Sequence, residues 1–169
     1  MDELRNIGKP KFIGEDFFRF SLKRINVEKL SQSLEDYLES IYIISLDKKI
    51  ARVKDLVNRL GVKSSSVIGA LKKLGAKGFI EHEHYGHIEL TEEGTKRAER
   101  LYERHTTLTR FFRDILNVDE KTAEGDACQI EHDLSEESYS KIIKLLGHII
   151  SMSETDPACF DKLKKSVTD

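Results

Sequence analysis

The stretch from Ala51 to Leu90 limits the fold more than any other part of this chain. Val53, Leu56, Val57 and Leu60 recur at helical spacing and stop at Gly61, and after a short turn Val67, Leu71 and Leu74 begin a second stripe. A serine among Ser64, Ser65 and Ser66 stands at the expected N-cap of that second helix, with Gly75 and Gly78 at its end. Residues 79–84 and 87–90 then alternate apolar and polar around Tyr85-Gly86, as the two strands of a hairpin do. Upstream, Ser33 with Asp36 three positions later marks a helix start, with Leu34, Leu38, Ile41, Tyr42 and Ser45 facing inward. Three helices followed by a hairpin make a winged helix-turn-helix, expected over residues 33–98.

Such a module is built to place its second helix of the pair in a DNA major groove. The first turn of that helix would present Lys63, Ser64, Ser65 and Ser66 to base edges and phosphates, with Lys72, Lys73 and Lys77 further along and Arg52 and Lys54 beside the flanking backbone. Gly69 stands where a base-reading side chain would be useful, which shifts the expected readout to the serines and to DNA shape. Charge agrees with this placement. The whole chain has a net charge of −2, but residues 48–77 hold nine basic side chains against Asp55 alone, an excess of +8. Residues 101–169 carry 9 basic and 14 acidic side chains, a balance of −5, so the second half is expected to do something other than touch phosphate. His82, His84 and His87 in the hairpin are assigned to solvent or phosphate.

Residues 1–32 mix Phe12, Phe17, Phe18, Phe20 and Leu22 with Arg19, Lys23 and Arg24, and read as an arm that packs its aromatics against the body. Beyond the wing, a helix is expected from Thr95 to Leu116, with Leu101, Leu108, Phe112 and Ile115 on one side. Asp119-Glu120 opens another helix, and Ser135 caps a further one whose face is Ile142, Ile143, Leu145, Leu146 and Ile149. This apolar surplus points to a dimerisation unit and to a homodimer with two recognition helices about 34 Å apart on DNA.

Within the 119–132 stretch, Cys128, Glu131 and His132 fall at i, i+3 and i+4, so one helical face would carry a thiolate, a carboxylate and an imidazole. That is an incomplete shell for a divalent metal. It is equally a buried thiol beside two solvated polar groups. Asp36 and Glu39 share a face of the first helix, where two acids also simply suit its first turn.

The 169 residues, 38% hydrophobic and 34% charged, suit one ordinary domain or two small ones. No membrane span or export signal is read, a cytoplasmic home is expected, and Cys128 and Cys159 are expected not to form a disulfide. A metal-independent winged-helix regulator using Cys128 as a redox switch, or sensing a small ligand, and a small metal hydrolase remain as alternatives. The hydrolase has no independent nucleophile, and an enzyme is not expected.

The residues Ser33 to Glu39, Val67 to Leu74, Ile88-Glu89-Leu90-Thr91 with Gly94, Arg104-His105, and Ala127 to His132 together resemble the diphtheria toxin repressor family of metal-dependent regulators. The resemblance implies a mainly α protein, a winged helix-turn-helix followed by an all-helical metal-binding and dimerisation domain over residues 99–169. It implies a repressor of metal-uptake or homeostasis genes, activated for operator binding by a divalent metal held between the two domains. Asp36, Glu39, His105, Cys128, Glu131 and His132 match the ligand positions, with Glu124 at a possible second metal whose other expected ligand is replaced by Thr109. Asp36, Glu39 and His105 resemble the manganese-sensing branch, and Cys128 the iron-sensing one. A thiolate favours Fe(II), with Mn(II) close behind. With the sequence ending at residue 169, the extra C-terminal domain of the iron branch is not expected.

Overall fold

The computed structural model describes residues 30–48, 50–82 and 86–167. The expectations for residues 1–29, for Lys49 and for the hairpin tip at 83–85, including His84, lie outside them. The chain forms two compact units that divide after Arg100.

In the first unit, α1 (Gln32–Lys48) begins earlier than Ser33. The Ser31 carbonyl accepts the N–H groups of Leu34 and Glu35 at 2.8 and 3.1 Å, so Ser33 sits inside the first turn. Leu34, Tyr37, Leu38, Ile41 and Ile44 form its buried side. Tyr42 and Ser45, expected inward, are only half-buried, and the Ser45 hydroxyl donates to the Tyr42 carbonyl. A two-residue strand, β1 (Ala51–Arg52), precedes α2 (Val53–Leu60), in which Leu56 is fully buried. Gly61 ends α2 at φ +66°, a conformation that only glycine adopts without strain.

The second helix of the pair, α3 (Ser64–Ala76), is entered through Lys63, whose side chain makes no capping bond. The expected serine cap is therefore wrong, because all three serines already lie in the helical first turn. Gly75 is inside α3; Gly78, at φ +77°, closes it, with the Phe79 N–H on the Leu74 carbonyl at 3.0 Å. The wing pairs β2 (Ile80–His82) with β3 (His87–Leu90), and β3 also pairs with β1, all antiparallel, in the order β1-β3-β2. Ile88 at the centre lies opposite both Ala51 and His82.

Helix α4 (Glu92–Arg110) starts at Glu92, three residues before the expected Thr95. Thr91 explains the difference: its hydroxyl accepts the Gly94 N–H at 3.0 Å and donates to the Gly78 carbonyl at 2.7 Å, tying the start of α4 to the end of α3. Arg97 on α4 pairs with the buried Glu35 of α1.

In the second unit α4 does not run on to Leu116 as an α-helix. It widens at 111–115 into a π-helical turn (Phe111–Ile115), where the Leu116 N–H reaches back to the Phe111 carbonyl, and Asn117 then reverses the chain at φ +55°. Asp119 caps α5 (Glu120–Ile130) by accepting the Thr122 N–H, and Ser135 caps α6 (Glu136–Thr155) by accepting the Ser138 N–H, both at 3.1 Å as expected. A last helix, α7 (Pro157–Ser166), was not read from the sequence; Asp156 caps it and Pro157 opens it. Tyr139, Ile143, Leu146 and Ile149 are the buried side of α6, so the expected face is corrected: Leu145 is 52% exposed and Ile142 only half-buried. Ile115, Leu146 and Ile149 form a core with Phe111, Leu116, Ile150, Phe160 and Leu163 around it. The architecture is the expected one, a winged helix-turn-helix followed by a helical unit. Among the described residues no helix is long and apolar enough to cross a membrane.

Candidate metal centre and DNA-binding face

Helix α3 has two distinct sides. Val67, Ala70, Leu71 and Leu74 are buried against the first unit, and burying four such side chains stabilises the helix's seat by several kcal/mol, about 1.5–3 for each larger one. Lys63, Ser64, Ser65, Ser66, Lys72 and Lys73 are all exposed on the rest of its surface. Ile68, which the sequence reading passed over, is also 43% exposed there. Arg52 is exposed at the end of β1, where its backbone N–H donates to Asp55 at 3.1 Å. Asp55 also pairs with Lys48 at 3.2 Å, so the single acid of the basic stretch is held at the foot of α2. His87 is half-buried in β3.

The second unit concentrates the metal-ligand types. Glu131 caps α5, its N–H still on the Ala127 carbonyl at 3.0 Å, and is 2% exposed. One of its carboxylate oxygens accepts from His105 Nδ1 of α4 at 3.0 Å. The other lies 3.2 Å from His132 Nε2, in the turn that follows α5. An ionised carboxylate only accepts, so the His105 Nδ1–H is the donor of this bond. Burial pushes the Glu131 carboxyl upward, but the His105 hydrogen bond and the His132 imidazole outweigh it and hold the group below its usual range. Cys128 Sγ lies within 4.8 Å of a Glu131 carboxylate oxygen.

The bland reading of the 128–132 run is inverted. Cys128 is exposed, whereas Glu131 is buried and His132 is half-buried, with its side chain at 4% exposure. The helix ends before His132, so the expected single helical face gives way to a cap and a turn. A buried carboxylate is expensive unless its oxygens are satisfied. Beyond the His132 Nε2 contact at 3.2 Å, Glu131 Oε1 has no hydrogen-bond donor although it is buried, and a divalent cation would complete its satisfaction. Glu131 lies within 4.8 Å of Cys128 Sγ and of a His105 ring nitrogen, and a carboxylate, an imidazole and a thiol are donor types that suit borderline divalent metals, whereas His132 joins no such group of three among the described residues. Asp36 and Glu39 stand one turn apart on α1 in the first unit, both half-buried. Glu124 is exposed on α5, one turn before Cys128, and Thr109 is buried on α4.

Two family models cover most of the chain. Residues 29–88 match the iron-dependent repressor N-terminal DNA-binding domain, and residues 91–159 match the iron-dependent repressor metal-binding and dimerisation domain. The chain belongs to the iron-dependent repressor family. It is thus a metal-responsive, DNA-binding transcriptional regulator of the diphtheria toxin repressor type, and not an enzyme. Among curated relatives, an HTH-type transcriptional regulator of Methanocaldococcus jannaschii is 39% identical over 114 residues, 67% of this chain and 91% of the relative. The HTH-type transcriptional regulator MntR of Lysinibacillus sphaericus is 37% identical over 136 residues, 80% of this chain and 94% of the relative. Among solved structures, IdeR of T. acidophilum superimposes with a TM-score of 0.61 at 26% identity over 72% of this chain. A manganese-dependent transcriptional repressor in complex with manganese gives 0.61 at 27% identity over 68%. This repressor spans only 56% and 52% of the length of those two solved chains.

Proposed function

We propose that this repressor controls genes of metal-ion uptake or homeostasis, binding its operator as a homodimer when a divalent metal, Fe(II) or Mn(II), is bound. His105, Cys128, Glu131 and His132 of the second unit are the proposed ligands there. For Asp36 and Glu39 of the first unit the family resemblance alone supports the assignment to the same ion. The observation that carries the reading is the buried Glu131 carboxylate between two imidazoles, within the stretch that matches the metal-binding domain. Lys63 to Ser66, Lys72, Lys73 and Arg52 are the proposed DNA contacts, and Glu124 the proposed ligand of any second ion. The DNA-binding part is taken as residues 33–98 and the metal-binding and dimerisation part as 99–169, in a cytoplasmic protein. The metal-independent alternative is not favoured, because the matched family model is of a metal-binding domain and a manganese-dependent repressor is among the similar structures.

When bound, the ion supplies a positive charge that ligands from distant segments share. Joining the two parts in this way reduces the conformations lost on docking to DNA. A coupling of about 1–3 kcal/mol raises operator affinity roughly 5- to 150-fold, and DNA tightens metal binding by the same factor. The test is anaerobic titration with Fe(II), Mn(II) and Zn(II) while binding to genomic DNA fragments is followed at fixed salt, with chelator as control. Binding that appears with metal and reverses with chelator supports the proposal, and the ranking of metals identifies the physiological ion. Equal binding with and without metal would sink it.

A further inference from the structure

The turn that follows α5 holds two of the proposed ligands, yet it is short and joins two helices without strand or disulfide. What fixes it is a side chain from α4. Arg104 Nη2 donates to the Leu134 carbonyl at 2.7 Å, Nη1 donates to Glu136 at 2.9 Å, and the guanidinium lies over the Tyr139 ring, 4.7 Å from its centre. The next residue, His105, reaches Glu131 across the same gap at 3.0 Å. One turn of α4 therefore grips both ends of the segment 131–136. His105 holds its first residue, Glu131, and Arg104 its last, Glu136, and the intervening Leu134.

We infer that Arg104 is a positioning residue for metal binding, acting through the 131–136 turn and touching no metal itself. This rests on the proposed metal site. Three features single it out from an ordinary surface ion pair. Its side chain is only 13% exposed. Its strongest geometric contact is to a main-chain carbonyl, which fixes backbone and not merely a side-chain rotamer. The planar guanidinium is used on its edge for two acceptors and on its face for an aromatic ring, a combination that lysine lacks. With Arg104 in place, Glu131 and His132 are presented at a fixed separation from His105. Without it, the Leu134 carbonyl loses its donor, the turn gains alternative conformations, and an ion must order it on binding.

The test uses the full chain and two variants, Arg104→Lys and Arg104→Ala, with Glu136→Gln as a control that keeps the Leu134 bond. Mn(II) affinity is measured by titration without DNA, and Co(II) absorption reports the ligand geometry. The expected result is a loss of Mn(II) affinity of about 10- to 100-fold in Arg104→Ala, the range for residues that orient ligands, with a smaller loss in Arg104→Lys. A shifted Co(II) spectrum in both Arg104 variants and a near-normal one in Glu136→Gln are also expected. Should Arg104→Ala fail to fold, Arg104→Lys decides the matter alone, since it keeps the charge and one donor. Wild-type affinity and spectrum in Arg104→Lys and in any folded Arg104→Ala would overturn the inference while leaving the metal site standing. No binding of Mn(II) or Co(II) by the wild-type chain would overturn the metal site first, and this inference with it.

Discussion

A Cβ built on Gly94 would lie 1.8 Å from the carbonyl oxygen of Phe79. The first turn of α4 thus rests directly on the backbone at the base of the wing, where no side chain fits. Neither partner is a flexible tip, so the overlap is relieved only by moving α4 or the wing. Gly94→Ala is expected to cost about 3 kcal/mol, the upper end for overpacking a well-filled interior. Thermal or urea unfolding of the variant checks this, and an unchanged midpoint would show that α4 shifts freely.

Glu131→Ala removes the buried acceptor that sits between His105 and His132. Metal-stimulated DNA binding is expected to vanish in this variant while its helical content and oligomeric state stay normal. Glu124→Ala, in contrast, is expected to keep the metal response. Calorimetric titration with Mn(II), paired with operator binding, separates the two.

The exposed lysines of α3 make a prediction about salt. If Lys72 and Lys73 meet phosphates, each replacement by Ala lowers the slope of log affinity against log salt by about 1 and weakens specific and non-specific DNA alike. Ser65→Ala should instead change the preference among sequences. Binding isotherms at several salt concentrations distinguish these behaviours, and an unaltered slope in the Lys72→Ala, Lys73→Ala pair would remove α3 from the interface.

Tyr139 lies under the Arg104 guanidinium, 6% exposed. Burial pushes its hydroxyl up to about 12, against opposing effects of the Thr107 hydrogen bond and the Arg104 charge. In the unfolded chain it titrates near its ordinary value of 10. The folded state therefore holds this proton more tightly. Its contribution to stability is complete below about pH 10 and is lost as pH rises through about 12, a change of about 2–3 kcal/mol. Tyr139→Phe should abolish that part of the alkaline loss, read from denaturant unfolding at pH 9 to 12. An identical alkaline profile in the variant would show that the shift is not realised.

The winged helix-turn-helix was legible because its periods change where its elements change: helical stripes at Val53–Leu60 and Val67–Leu74, then alternation into Leu90. Helix starts were less so. Ser31, Ser33, Lys63, Ser64 and Thr91 offer several neighbouring places to begin, and at two of the three starts the backbone or a non-capping lysine takes the position that a serine was expected to fill. The face of α6 was misjudged because Ile142-Ile143 and Leu145-Leu146 are adjacent apolar pairs, which leave the phase of the stripe open. The π turn at 111–115 has no local signature, and α7 is too polar to declare itself. At the site, spacing found Cys128, Glu131 and His132 but not their burial. Which of the three is enclosed depends on α4 crossing over the turn, and no short-range pattern encodes that.

The division of α3 into an enclosed side and an open one has a meaning for descent. Val67, Ala70, Leu71 and Leu74 cannot drift without loosening the scaffold, whereas Ser64, Ser65, Ile68 and Lys72 support nothing inside it. Substitutions on the open side carry little structural cost. If that open side reads DNA, as proposed, a lineage acquires new operators by exchanging a handful of surface residues while its response to metal is inherited intact.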